Sequence, residues 1–246
     1  FNSYRKVDND RNFKITFTNS TTTSISSKLT KSGNNATMSV KGSATGCSYT
    51  INYTFYPDGT VDMNVKFSPS GTLARIGLGM QFASGFENVE FYARGPRSNY
   101  SDRKTGSYLG RFTTTVDDMV DEMIHPQTFG DHEDMRELIL TNKASNVQIG
   151  IKAGGRASFS LSHYDETKWC TSGDSMWNTK LHWYDLTRNP QVYAHFDYMQ
   201  RGLGNNSCGG DSCLSDYVCP SSSWNSSYGY TLRFTPQSGG NAQITE

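Results

Sequence analysis

Every second residue is apolar along much of this sequence, a spacing that only an extended strand with one buried face can use. The clearest case is a hairpin. Tyr49, Ile51, Tyr53 and Phe55 alternate into Pro57-Asp58-Gly59, and Val61, Met63, Val65 and Phe67 alternate out again. Proline presets the turn dihedral and glycine takes the positive φ, so the register of the pair is set by the turn. Further runs of the same period start at Phe13-x-Ile15-x-Phe17, Ile76-x-Leu78-x-Met80-x-Phe82 and Val89-x-Phe91-x-Ala93, and recur at 137–140, 147–151, 159–163, 192–198 and 230–234. Gly77 and Gly79 on the second face of the 76–82 run leave room for a close neighbour or a ligand. Ten or so strands with turn signals between them predict an all-β fold, a large antiparallel β-sandwich.

Composition agrees, since Thr, Ser, Asn, Gly and aromatics displace the helix formers Ala, Leu and Glu. Residues 19–27 are expected as a loop or weak edge strand, 31–35 as a turn, and 113–129 as irregular or short helical structure. The segment 165–186 carries Trp169, Trp177 and Trp183 without a strict period and is expected to cover one end of the sheet, with a helix as one option. No repeat or low-complexity linker interrupts the chain, which implies one domain over residues 1–246.

The 23 basic and 23 acidic residues cancel. No field of one sign is present to attract nucleic acid or anionic lipid, and no apolar run is long enough to span a membrane. No signal peptide is visible, and the chain is expected to be a piece of a larger protein. Cys208, Cys213 and Cys219 cluster at a spacing that fits no zinc knuckle; a disulfide among them and free thiols both stay open. His125, His132, His163, His182 and His195 are scattered, so the pattern predicts no metal site.

The densest polar stretch is residues 88–111. A strand ends at Gly95-Pro96, and Arg97, Asn99, Tyr100, Asp102, Arg103 and Lys104 follow at once. Such side chains bond in fixed directions, and the stretch is expected to lie across a sheet, pinned by hydrogen bonds. The motif Arg-Gly-Pro-x-x-Asn-Tyr-x-Asp-Arg at 94–103 resembles a signature of the small-chain, or C-terminal, domain of bacterial family 2 β-galactosidases. In order along the chain, Val7-Asp8-Asn9-Asp10, Arg75-Ile76-Gly77-Leu78, His125-Pro126-Gln127, Arg136-Glu137-Leu138 and the 197–207 segment resemble further elements of that domain.

The resemblance implies a supersandwich similar to galactose mutarotase, without the strands that precede the Asp-Asn-Asp element in the family. It implies a parent enzyme that cleaves terminal β-D-galactosides with retention. That reaction needs two carboxylates about 5–5.5 Å apart; in the family both are glutamates on a separate barrel domain, the acid/base following an asparagine. No Asn-Glu dipeptide occurs in this sequence, so no catalytic residue is expected in this chain. The expected partners are a β-galactoside and the barrel domain, with a parent enzyme that forms homo-oligomers, works in the periplasm or cytoplasm, and engages neither nucleic acid nor membrane. No cofactor is expected in this chain, any Mg or Na belonging to the barrel.

Two loops are the candidate substrate contacts. Asp8, Asn9, Asp10 and Arg11 make a compact polar turn whose carboxylates could accept sugar hydroxyls or cap backbone donors. Gly204, Asn205, Asn206, Ser207 and Cys208 belong to a glycine-rich loop in which backbone can approach a ligand and amides can bond a sugar. The family's loop ends in Ser-Trp, the Trp stacking on a sugar; Cys208 stands there here, so that stacking falls to Trp224 or is weakened. Two other readings remain, a stand-alone carbohydrate-binding module and an aldose 1-epimerase. The latter would draft His195 as its acid, yet the sequence pattern sets no glutamate beside it.

Overall fold

The structure is a computed structural model of the 246-residue chain; it describes residues 1–5, 22–124, 126–166, 182–202, 213–220 and 228–238. Twelve strands are present among them: β1 (Thr22–Ser32), β2 (Asn35–Ala44), β3 (Cys47–Phe55), β4 (Val61–Pro69), β5 (Arg75–Phe82), β6 (Asn88–Gly95), β7 (Tyr108–Thr115), β8 (Glu137–Asn142), β9 (Val147–Gly155), β10 (Ser158–Ser162), β11 (Val192–Gln200) and β12 (Tyr228–Ser238). Nine form one sheet in the order β1-β2-β3-β4-β12-β9-β8-β6-β7, and three form another in the order β10-β11-β5. All named pairings are antiparallel. No helix among the described residues is long and apolar enough to cross a membrane.

The small sheet lies on the large one and the core fills the space between. Ile76 and Leu78 of β5, Phe159 and Leu161 of β10, and Val192, Ala194 and Phe196 of β11 meet Met63, Val65, Phe91, Leu138, Leu140, Ile151, Tyr230 and Leu232 in one buried cluster. Each of these comes from the apolar phase of its strand, which is why a one-residue slip would expose a whole set. The Tyr230 hydroxyl, buried with this cluster, donates to the Phe196 carbonyl across the two sheets at 2.7 Å. That bond satisfies the one polar atom the ring carries inward.

The β3–β4 hairpin follows the predicted register, with Phe55 opposite Val61 and Gly59 at φ +86. Of the two options for residues 19–27, the described part from Thr22 onward takes the edge strand: it belongs to β1, an eleven-residue strand paired with β2 at one end of the large sheet. Residues 31–35 do turn, at Gly33 and Asn34. The irregular stretch 113–129 begins instead as the end of β7 and passes through one 3-10 turn at Asp117–Met119. The expected first strand at Phe13, Ile15 and Phe17 lies outside the described residues, as do Trp169 and Trp177. Trp183 begins a short 3-10 turn and packs edge-on to Phe129 and Tyr164 at 5.3 and 5.0 Å, as an aromatic cover would.

Candidate functional site: converging loop stems over a buried charge network

Strand β6 ends at a cis Gly95-Pro96 bond, and the chain crosses to β7 through residues 96–107. Asn99 is the knot of this crossing and is fully buried. Its Nδ2 donates to the carbonyls of Arg94 and Arg97 at 3.0 and 3.1 Å, while its Oδ1 accepts from the Glu133 amide at 3.0 Å. Its own amide donates to Asp131 O at 2.7 Å. One side chain thus satisfies three backbone groups that a loop laid on a sheet would otherwise leave orphaned. Lys104 pairs with Glu133 at 2.9 Å and Asp134 at 3.1 Å, and Arg94 binds Asp134 as well. The pinned cross-loop expected from the sequence is what the structure contains.

The cross-loop also carries the roots of both candidate loops. Ser101 Oγ donates to Gln200 O at 3.0 Å at the end of β11. Tyr100 is buried, its ring faced by the guanidinium of Arg5 at 4.8 Å and that of Arg103 at 5.2 Å. Arg5 in turn donates from Nη1 to the Arg201 carbonyl. Arg201 N bonds Ala74 O at 3.0 Å, and Gly202 N bonds Tyr217 O at 2.9 Å. A Cβ on Gly202 would sit 2.8 Å from Asp102 Oδ2 and from Tyr217 Cβ, so this position is closed to larger residues. Arg5, Tyr100, Asp102, Arg103, Asp121 and Gln127 line a polar cavity of about 300 Å³. Asp8, Asn9, Asp10, Arg11, Gly204, Asn205, Asn206, Ser207 and Cys208 themselves lie outside the described residues. The residues that lead into each group, Arg5 and Arg201-Gly202, are bonded to one another.

Beneath the stems is a buried ionic network, and two of its members, Arg75 and Asp197, open two of the motifs that carry the resemblance. Arg75, fully buried at the start of β5, donates from Nε to Asp197 at 2.7 Å and from Nη1 to Glu166 at 3.1 Å. Gln200 Nε2 adds a donor to Asp197 at 3.3 Å. β11 is bulged between Asp197 and Met199, the kind of irregularity that re-aims a side chain. Asp197 stands opposite Gly77, where a Cβ would collide with the carboxylate. The room that Gly77 was expected to leave is therefore taken by an aspartate. Burial pushes the Asp197 carboxyl up to about 6 in spite of Arg75. Burial, then Glu133 and Asp197, hold Asp131 well above the usual carboxylate range. Burial alone would lower Arg75, but Asp197 and Glu166 keep it above its ordinary value and so charged.

His195, two residues before Asp197, faces this network. It takes a hydrogen bond at Nδ1 from Asn2 Nδ2 at 2.9 Å, which leaves Nε2 as the protonated nitrogen, 3.4 Å from Glu166 Oε2. Burial and then Arg75 push its pKa down to about 4, so the ring is neutral at pH 7. The sequence set no glutamate beside His195; the structure supplies Glu166, twenty-nine positions away in a segment without period. The pair borders a second cavity, of about 230 Å³, shared with Phe1, Asn2, Gln81 and Tyr193. Arg5 and Glu166 are thus residues that sequence reasoning missed, while Arg75, Asp197 and Arg201 were singled out only as members of matching motifs, with no role assigned to them. A charge placed next to glycine or apolar residues in strand-like runs is the physical signal that could have found them. Of the clustered cysteines, Cys219 is a buried thiol whose Sγ faces Met199 O, and burial pushes its pKa up.

A family model described as the β-galactosidase small chain matches residues 1–233. A β-galactosidase of Staphylococcus xylosus is 31% identical over 160 residues, 65% of this chain and 14% of that protein. Those of Priestia megaterium (28% over 195 residues, 75% and 17%) and Vibrio cholerae (30% over 172 residues, 68% and 15%) are similar to it as well. The chain therefore spans about one-sixth of the length of these curated relatives. Among solved structures, a GalM/aldose epimerase homologue from C. elegans aligns with a TM-score of 0.45 at 9% identity, over 87% of this chain and 69% of that one.

Proposed function

Because this chain belongs to the β-galactosidase small-chain family, we propose that it is the non-catalytic C-terminal β-sandwich domain of a retaining enzyme that hydrolyses terminal β-D-galactosides. Residues 8–11 and 204–208 contribute the rim of the substrate pocket, and the acid and nucleophile stand on a catalytic barrel against which this domain packs. The parent enzyme works as a homo-oligomer in the periplasm or cytoplasm. The observation that supports this reading is the bond between Arg5 and Arg201, seated on Tyr100. It holds the roots of both loops at one place through buried charge, an arrangement costly to maintain unless the loops must be held in a fixed geometry. His195 and Glu166 spend their polar atoms on Asn2, Arg75 and each other, which suits a support better than an acid and a base facing a sugar.

The test is an assay of the purified protein on a nitrophenyl β-D-galactoside, with galactose calorimetry and polarimetry alongside. The expected result is no turnover, no heat and no acceleration of α/β equilibration. Turnover above background overturns the reading. Micromolar galactose binding by this chain alone replaces it with the stand-alone module, and faster equilibration replaces it with the epimerase.

A further inference from the structure

Away from the loop stems, three ligand-type side chains converge at one edge of the sandwich. Glu87 immediately precedes β6, Asp117 follows β7, and His163 follows β10. Two of them therefore hang from the large sheet and one from the small. Their ligand atoms lie within 4.8 Å of one another, the one such group of three among the described residues.

His163 gives this cluster its direction. Its side chain has no exposure, and its Nδ1 lies 3.0 Å from the Gln191 carbonyl. A carbonyl can only accept, so Nδ1 carries the hydrogen and Nε2 presents its lone pair. Yet Nε2 faces another acceptor, Glu87 Oε2, at 2.7 Å. Two acceptors that close require a cation or proton between them. A backbone carbonyl holding Nδ1 so that Nε2 points at a carboxylate is also how proteins orient a histidine toward a metal. Arg188 supplies positive charge from the open side, bonding Asp117 at 3.0 Å through two nitrogens and Glu87 at 3.3 Å. It approaches the carboxylates and has no bond to His163 Nε2.

We propose that Glu87, Asp117 and His163 bind a divalent transition-metal ion, and that Arg188 is the cation it displaces. One imidazole nitrogen and two carboxylate oxygens form a donor set suited to zinc, with water as fourth ligand. Bonds of about 2.0–2.2 Å place tetrahedral donors about 3.3 Å apart. Glu87 and His163 need to open by about half an ångström, and Asp117, more than half exposed, is free to swing in. Bound there, the metal clamps the 3-10 turn after β7 to the end of β10, joining the two sheets at this edge. This site departs from the expectation that the chain holds no metal, and it stands independently of the β-galactosidase reading.

The experiment is calorimetric titration of Zn²⁺ into the protein at pH 7.5 in a non-chelating buffer, repeated on Asp117→Asn and Arg188→Gln, with Co²⁺ absorption as a second readout. Binding of one equivalent is expected, weakened about tenfold or more in Asp117→Asn and tightened several-fold in Arg188→Gln because the competing cation is gone. Co²⁺ should show visible bands of low coordination number in wild type that fade in Asp117→Asn. Both substitutions are at partly exposed positions, so neither depends on remaking the core. An affinity unchanged by Asp117→Asn assigns the zinc elsewhere, to thiols or other histidines, and overturns the proposal. So does the absence of binding in both wild type and Arg188→Gln.

Discussion

Asp197 and the glycine opposite it form a lock in which each residue explains the other. The carboxylate occupies the volume a Cβ on Gly77 would need, and Phe196 O would stand 2.8 Å from the same Cβ. Since the backbone oxygen cannot yield and Asp197 is held by Arg75, Gly77→Ala must shift β5 against β11. A loss of about 1–3 kcal/mol follows from overpacking, read as a lower urea midpoint. Gly71→Ala, where the added atom meets open space, should change stability by less than about 0.5 kcal/mol. His195 supplies a second test. Its folded pKa of about 4 is below the usual value of about 6.5, so the unfolded chain binds more protons between those limits. Stability from this residue is complete above about pH 6.5 and is lost as pH falls toward 4. Asp197, raised to about 6, works in the opposite sense over an overlapping window. The readout is therefore the difference between wild type and His195→Gln: going from pH 7.5 to 5.5 should cost wild type about 1 kcal/mol more than the variant. Equal losses would show that the neutral ring is not what the network requires.

Strands whose two faces meet different surroundings were the ones visible in advance. β3, β4, β5, β6 and β11 each put one apolar phase into the core, and their alternation gave them away. β1 and β7 lie at the two edges of the nine-stranded sheet, and β2 lies beside an edge. Partial exposure on both faces removes the pressure to alternate, as in the polar phase and glycine of β7, so β2 and β7 were not foreseen and β1 was legible only as one option, a weak edge strand, for residues 19–27. Among the described residues β1 is also an open flank: Ile25 and Leu29, 66% and 68% exposed, share one face four residues apart. A long edge with apolar side chains is a template for pairing with another chain. Replacing both by Lys should leave the unfolding midpoint within about 0.5 kcal/mol of wild type and reduce concentration-dependent light scattering. If scattering is unchanged, association runs through another surface.

The whole molecule places its charge where chain order would not predict it. Arg5, Arg75 and Arg201 come from the opening residues, the start of β5 and the position after β11, and all three are buried. The Arg-Gly-Pro-x-x-Asn-Tyr-x-Asp-Arg motif pointed to the platform because its polar side chains are contiguous. The arginines behind it are far apart in the chain, Arg5 being 196 positions from the Arg201 carbonyl it bonds, and no single local pattern joins them. Arg5 ties together the approaches to both candidate loops, so its role is best tested in the longer β-galactosidase that the proposed function requires. Arg5→Met keeps most of the side-chain volume but deletes the donor to Arg201 O and the cation over Tyr100. Small misplacements of substrate-positioning groups cost on the order of a hundredfold in rate, so kcat/KM for β-galactosides should fall by about ten- to a hundredfold. Arg233→Met is the matched control, since its pair with Asp62 is on an exposed stretch of β12 and such pairs contribute little; it should alter kcat/KM by less than about twofold. Both are measured well below the melting temperature of each variant, because removing a buried arginine also weakens the fold. A variant at Arg5 that melts early yet turns over galactoside at the wild-type rate when folded would mean that the tie serves stability alone and that the loops hold their places without it.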